Sequence, residues 1–144
     1  MKIYLASDHA GFDLKETIKK FLADSGYEVK DFGAMKLDPE ADYPDFVKKA
    51  AEAVAQNPGS RGIVLGGSGQ GEAMIANRVK GVRAVVLYNF NADIIKLSRE
   101  HNDANVLSIG ARFVSEKDVI TAVKLWLETP FSNEPRHRRR IDKF

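Results

Sequence analysis

Four glycines within Gly66-Gly67-Ser68-Gly69-Gln70-Gly71, followed at once by Glu72, form the stretch of this chain best suited to chemistry. Glycine lets the backbone take unusual dihedrals and come close to a ligand. Where such a turn opens a helix, free N–H groups and the positive dipole end face an incoming anion. That anion can be a phosphate or an oxyanion formed during reaction. The dinucleotide fingerprint does not fit, because Gly67-x-Gly69-x-Gly71 is not G-x-G-x-x-G and follows the third strand rather than the first. A P-loop fails for want of Gly-Lys-Ser/Thr. Glu72, in the first helical turn, could merely cap the helix. Beside an oxyanion hole it becomes a candidate general base, since moving a proton next to a carbonyl needs a base for the C–H and donors for the enediolate oxygen.

Asp8-His9 follows the first strand, where Asp is also a common helix N-cap. His101 stands in Arg99-Glu100-His101-Asn102-Asp103, a polar helix end. Three histidines without His-x-x-x-His or an equivalent spacing give no metal site, and none is expected. With zero cysteines, disulfides, zinc-thiolate sites and thiolate nucleophiles are excluded.

Short apolar runs alternating with amphipathic segments must position these residues. Strands are predicted at Ile3–Ala6, Tyr27–Phe32, Gly62–Gly66, Arg83–Tyr88 and Val106–Gly110. Leu14, Ile18, Phe21 and Leu22 form a helical stripe that Gly26 ends, and Phe46, Val47, Ala50, Ala53 and Val54 form another. Further helices are predicted from about Gly71 to Val79, over Ala92–Glu100, and from Ser115 to Thr129-Pro130. Five strand–helix units imply an α/β fold: a Rossmann-like, doubly wound, five-stranded parallel sheet in three α/β/α layers, with a C-terminal extension. Ligands in this architecture bind beyond the carboxyl ends of the strands. Asp8-His9, the glycine turn, Tyr88-Asn89, Arg112 and, just before the fifth strand, His101-Asn102-Asp103 are all expected to cluster there.

At 44% hydrophobic and 29% charged, the composition is globular and excludes both a disordered chain and a membrane protein. A chain of this length supports one core, so one domain is expected over residues 1–130, followed by a basic tail at 131–144. The net charge of +2 averages unlike regions. Arg136 to Phe144 carry five basic residues and one acid, leaving 17 basic against 19 acidic residues over 1–135. The basic patch is brief and lacks interleaved aromatics, which argues against nucleic acid as a partner. No apolar run is long enough for a signal peptide or membrane span, and the expected location is cytoplasmic.

At these residues the chain resembles the type B ribose-5-phosphate isomerases and their galactose-6-phosphate isomerase relatives, over essentially its whole length. The landmarks are Ser7-Asp8-His9-Ala10-Gly11, Asp42-Tyr43-Pro44, Gly67-Ser68-Gly69-Gln70-Gly71, Ile75-Ala76-Asn77-Arg78 and Gly81-Val82-Arg83-Ala84. Arg99 to Leu107, Gly110-Ala111-Arg112 and Arg136-His137 with Arg140 complete them. The resemblance implies an aldose–ketose isomerase of the pentose phosphate pathway, without metal or organic cofactor, working through an enediolate. It implies that Asp8 and His101 open the sugar ring and that Tyr43 and Asn102 contact sugar hydroxyls. The amides of Gly67, Gly69 and Gly71, with Ser68, would form the anion hole. Arg112, Arg136 and Arg140, with His9, would clamp phosphate. Many relatives carry a cysteine base where this chain has Gly66; a second subgroup has a glutamate after the turn, and Glu72 matches it. Homodimers with sites shared between subunits are implied, some pairing into tetramers. Related sequences act on allose or galactose 6-phosphate, so a hexose phosphate is the alternative substrate. A silent sugar-phosphate or nucleotide-binding module is the alternative class.

Overall fold

The computed structural model describes residues 1–144. In chain order the elements are β1 (Lys2–Ser7), α1 (Phe12–Asp24), β2 (Glu28–Asp31), α2 (Tyr43–Gln56), β3 (Arg61–Gly66) and α3 (Gln70–Ala76). They continue as β4 (Ala84–Leu87), α4 (Ala92–Glu100), β5 (Val106–Gly110), α5 (Glu116–Glu128) and α6 (Pro135–Ile141). The five strands form one parallel sheet in the order β2-β1-β3-β5-β4.

Strand alternation divides the core into two layers. Ile3, Leu5, Ile63, Leu65, Leu107 and Ile109 face α1, α4 and α5, which contribute Ile18, Leu22, Ile95, Val123 and the fully buried Trp126. Tyr4, Ala6, Val64 and Val106 face α2 and α3 through Val47, Ala50, Val54 and Ala76. The three central strands are buried throughout apart from Lys2 at the start of β1, as strands covered on both faces must be. β4 has a single neighbour and is half-exposed. No helix is long and apolar enough to cross a membrane.

This winding fixes where a ligand can enter. β1 and β5 lead into helices on one face of the sheet, whereas β3, between them, leads into α3 on the other. The chain therefore parts on both sides of the β3 C-terminus, and a crevice opens at each such switch point.

Two elements differ from the sequence expectation. α3 stops at Ala76, short of Val79, because the Asn77 side chain clasps the start of β4. Its Nδ2 donates to the Ala84 carbonyl at 3.1 Å, and its Oδ1 accepts from the Ala84 amide at 2.7 Å. The basic tail contains a helix. Pro135 opens α6, its fixed φ suiting a first helical position, and the turn buries His137 to 3% exposure.

Candidate active site

Each glycine of the turn after β3 makes room for something specific. Gly69 has φ +75°, and a Cβ there would lie 2.9 Å from the Ile109 carbonyl carbon, so the turn presses against β5. The buried Ser108 hydroxyl fastens it by donating to the Gly69 carbonyl at 2.6 Å. A Cβ on Gly71 would overlap the Tyr43 hydroxyl, and one on Gly67 would sit 3.1 Å from the Arg112 guanidinium. A Cβ on Gly66 would overlap the Glu72 carboxyl. Tyr43, Arg112 and Glu72, from three different elements, thus converge on a backbone without side chains. Pro44 at the start of α2 fixes the approach of Tyr43, and the Arg112 amide donates to the Gly67 carbonyl at 3.1 Å.

Glu72 is 4% exposed. Burial pushes its carboxyl above the ordinary glutamate range, its own amide works the other way, and the nearby Asp8 carboxylate adds to the rise. A carboxylate held in this way is a stronger base than one in water. Asp8, at the end of β1, is also buried, and one of its oxygens is engaged. Oδ1 accepts from the Ala10 and Gly11 amides at 2.8 and 3.1 Å, holding the turn into α1. The helix-entry role and a place beside Glu72 coexist. His9 follows, with Nδ1 buried and without a partner in the chain. Ser68 is exposed on the turn, where its hydroxyl accepts from the Gln70 amide at 3.3 Å.

His101, Asn102, Arg136 and Arg140 are not there. Residues that precede a strand lie at the opposite edge of a parallel sheet from residues that follow one, and α4 returns the chain to the start of β5. Asn102 confirms the position, because its carbonyl accepts at 3.1 Å from Arg83, the residue before β4. The five residues of β5 separate the two edges by roughly 15 Å. The expected single cluster, with His101-Asn102-Asp103 beside the glycine turn, is therefore corrected: one chain carries two separate clusters, one at each edge of the sheet. Asp103 is taken up structurally, pairing with Arg83 at 3.2 Å and Arg99 at 2.8 Å.

The tail packs against the second cluster. The His137 ring lies parallel on His101, with centroids 4.1 Å apart and planes 16° off, and the Ser132 amide donates to the Glu100 carbonyl at 3.1 Å. Arg136 and Arg140 are exposed on the same helix, one turn apart. Burial, then His101 and Arg136, hold the His137 imidazole below its ordinary pKa. His137 carried no expected role from sequence. Its only signal was a lone uncharged ring on the inner side of an arginine-rich turn.

No group of His, Cys, Asp or Glu side chains is arranged to hold a metal ion. Fold and turn together define a parallel α/β protein with a glycine-rich turn of backbone amides and a buried carboxyl at the carboxyl edge of its sheet. The comparisons with known proteins agree. A family model described as Ribose/Galactose Isomerase matches residues 3–144, and the chain belongs to that family. It is 44% identical over 142 residues to ribose-5-phosphate isomerase B of Mycolicibacterium paratuberculosis, covering 99% of this chain and 88% of the relative. The Mycobacterium tuberculosis protein of the same name is 42% identical, with 99% and 86% covered. Among solved structures, Clostridium thermocellum ribose-5-phosphate isomerase B superposes with TM-score 0.93 at 45% identity, covering 99% of this chain and 94% of that one. The Mycoplasma genitalium enzyme with bound ribulose-5-phosphate gives TM-score 0.93 at 39% identity, with 99% and 92% covered.

Proposed function

We propose that this chain interconverts D-ribose 5-phosphate and D-ribulose 5-phosphate, with Glu72 as the base that moves the proton between C2 and C1. The carrying observation is the buried Glu72 carboxyl over Gly66, beside a turn of backbone amides. After ring opening, Glu72 takes the C2 proton, and the electron pair moves onto the C1 carbonyl to give an enediolate. The amides of Gly67, Gly69 and Gly71, with the Ser68 hydroxyl, face the developing O1 charge. Glu72 returns the proton to C1 while the C2 hydroxyl proton passes to O1, which leaves the ketose.

On this reading the other half of the site comes from a second copy. Asp8 of one chain and His101 of the other open the ring, one taking the O1 proton and the other protonating the ring oxygen. Tyr43 and the second copy's Asn102 contact hydroxyls. Arg112 and His9 meet Arg136 and Arg140 of the second copy on the phosphate, where guanidinium forks suit the oxyanion. Support comes from the separation of the half-sites and from an apolar face suited to pairing. β4 offers an unpaired edge, flanked by exposed Met74 on α3 and by Ile94 and Leu97 on α4. The working form is thus a homodimer, placed in the cytoplasm with its sugar-phosphate substrate, and its tail residues 131–144 serve both phosphate binding and pairing.

Glu72→Gln tests the assignment. We expect kcat to fall by roughly three orders of magnitude or more with KM changed less than threefold. Activity within a few-fold of wild type would remove Glu72 from the mechanism. Running allose 6-phosphate and galactose 6-phosphate alongside decides the sugar: kcat/KM should favour the five-carbon substrate.

A further inference from the structure

A cavity of about 330 Å³ opens at the amino edge of the sheet, away from the glycine turn. Its walls are the Pro58-Gly59-Ser60 loop, Gly81, Asn105 and the side chains of Arg61, Arg83, Arg99 and Asp103. Three guanidinium groups thus face one carboxylate, and that carboxylate is already committed. Asp103 bridges Arg83 and Arg99, leaving Arg61 with no acidic partner.

Arg61 is 91% removed from solvent, and its Nη1 donates to the Trp126 and Leu127 carbonyls, both at 2.8 Å. Those two bonds close the end of α5 and account for its structural duty. A guanidinium has five N–H groups. The Nε and Nη2 hydrogens of Arg61 find no acceptor in the chain. The Trp126 ring, 5.2 Å from the Arg61 guanidinium and 5.9 Å from that of Arg99, holds both cations in place. Burial, and then the charge of Arg99, lower the Arg61 pKa to about 10, the mark of a cation short of counter-charge. A buried cation normally has a paired anion.

We propose that this cavity is a second oxyanion site, distinct from the proposed catalytic phosphate clamp, which takes a phosphate group, free or carried by a small ester, on Arg61. The fork of Arg61 supplies directed donors, and the polar lining excludes an apolar ligand. The volume admits a group larger than a single water but no large cofactor.

The test titrates inorganic phosphate, and separately glycerol 3-phosphate, into ¹⁵N-labelled protein carrying Arg112→Ala, which weakens the phosphate contacts at the glycine turn. We expect saturable shifts of the Gly59, Ser60, Arg61 and Gly81 amides. Arg61→Gln, added to this background, should weaken that saturation at least tenfold, while Arg61→Lys should weaken it less. Tighter saturation by the ester identifies a metabolite site, and equal saturation a free-ion site; both support the proposal. Shifts confined to Gly67–Gly71, or shifts at Gly59–Arg61 that stay linear or survive Arg61→Gln unchanged, would overturn it. Should Arg61→Gln not fold, the shift map of the Arg112→Ala protein alone decides. The readout is binding, so it stands apart from whether the chain isomerises ribose 5-phosphate.

Discussion

At Glu72, burial and function pull the same way: desolvation raises the carboxyl pKa and so raises its strength as a base. Site-specific ¹³C titration should place its midpoint above the ordinary glutamate value, and Asp8→Asn should move that midpoint down by removing the neighbouring charge. The proposed base works only when ionised, so kcat/KM should fall as pH falls through the same raised value. A midpoint at or below the ordinary value would remove burial as the source of its basicity. Asp31 shows the opposite balance. Burial pushes its carboxyl up, but Lys15, the Gly33 amide and Lys19 outweigh this and hold it below its usual value. Lys15 is fully buried against it at 2.5 Å, so Asp31→Ala leaves that cation only the half-exposed Glu16 at 3.2 Å and should cost about 3 kcal/mol in urea unfolding. For a depressed carboxylate the contribution is complete above the unfolded pKa and lost as pH falls through the folded one. Wild-type stability should therefore erode below roughly pH 4, and the Asp31→Ala protein should show less of that erosion.

Among the elements, α6 decides how the second half-site is held together. His137 is the contact through which the tail grips His101. His137→Ala should lower kcat/KM on the order of tenfold to a hundredfold by loosening His101, Arg136 and Arg140 together, while thermal unfolding shifts little. His137→Phe keeps a ring on His101 and should recover most of the loss. The central strands were legible because Ile3–Ala6 and Gly62–Gly66 are short apolar runs and Val106–Gly110 is broken only by Ser108, as strands covered on both faces are. α6 was not, because a seven-residue turn of mostly cations has no apolar stripe; one buried ring and a tertiary contact sustain it. The early end of α3 was equally hidden, since it depends on where Asn77 meets β4.

For the whole molecule, the glycine turn, Arg112 and Glu72 were readable as one group because each follows a strand or opens the helix after it, whereas Tyr43 came only from the family resemblance. His101 and Asn102 precede a strand, and in a parallel sheet that alone sends them to the far edge. The proposed dimer joins the edges, and mixing can test it. A Glu72→Gln chain paired with a His101→Ala chain has one intact site and one doubly damaged site. Random reassociation of the two inactive proteins should restore about one quarter of wild-type activity, from half the dimers with one of two sites working. No recovery in verified mixed dimers would mean that each site is built within a single chain.

The overlap between a side chain at position 66 and the Glu72 carboxyl also bears on how such a site can change over generations. The two positions share one volume, so they form an epistatic pair: what is neutral at one depends on the occupant of the other. Because the overlap falls on the far end of the Glu72 side chain, any residue larger than glycine at 66 should displace the proposed base rather than the backbone. A lineage moving from a glutamate base at 72 to a side-chain base at 66 must therefore pass through a folded but slow intermediate, or change both codons together.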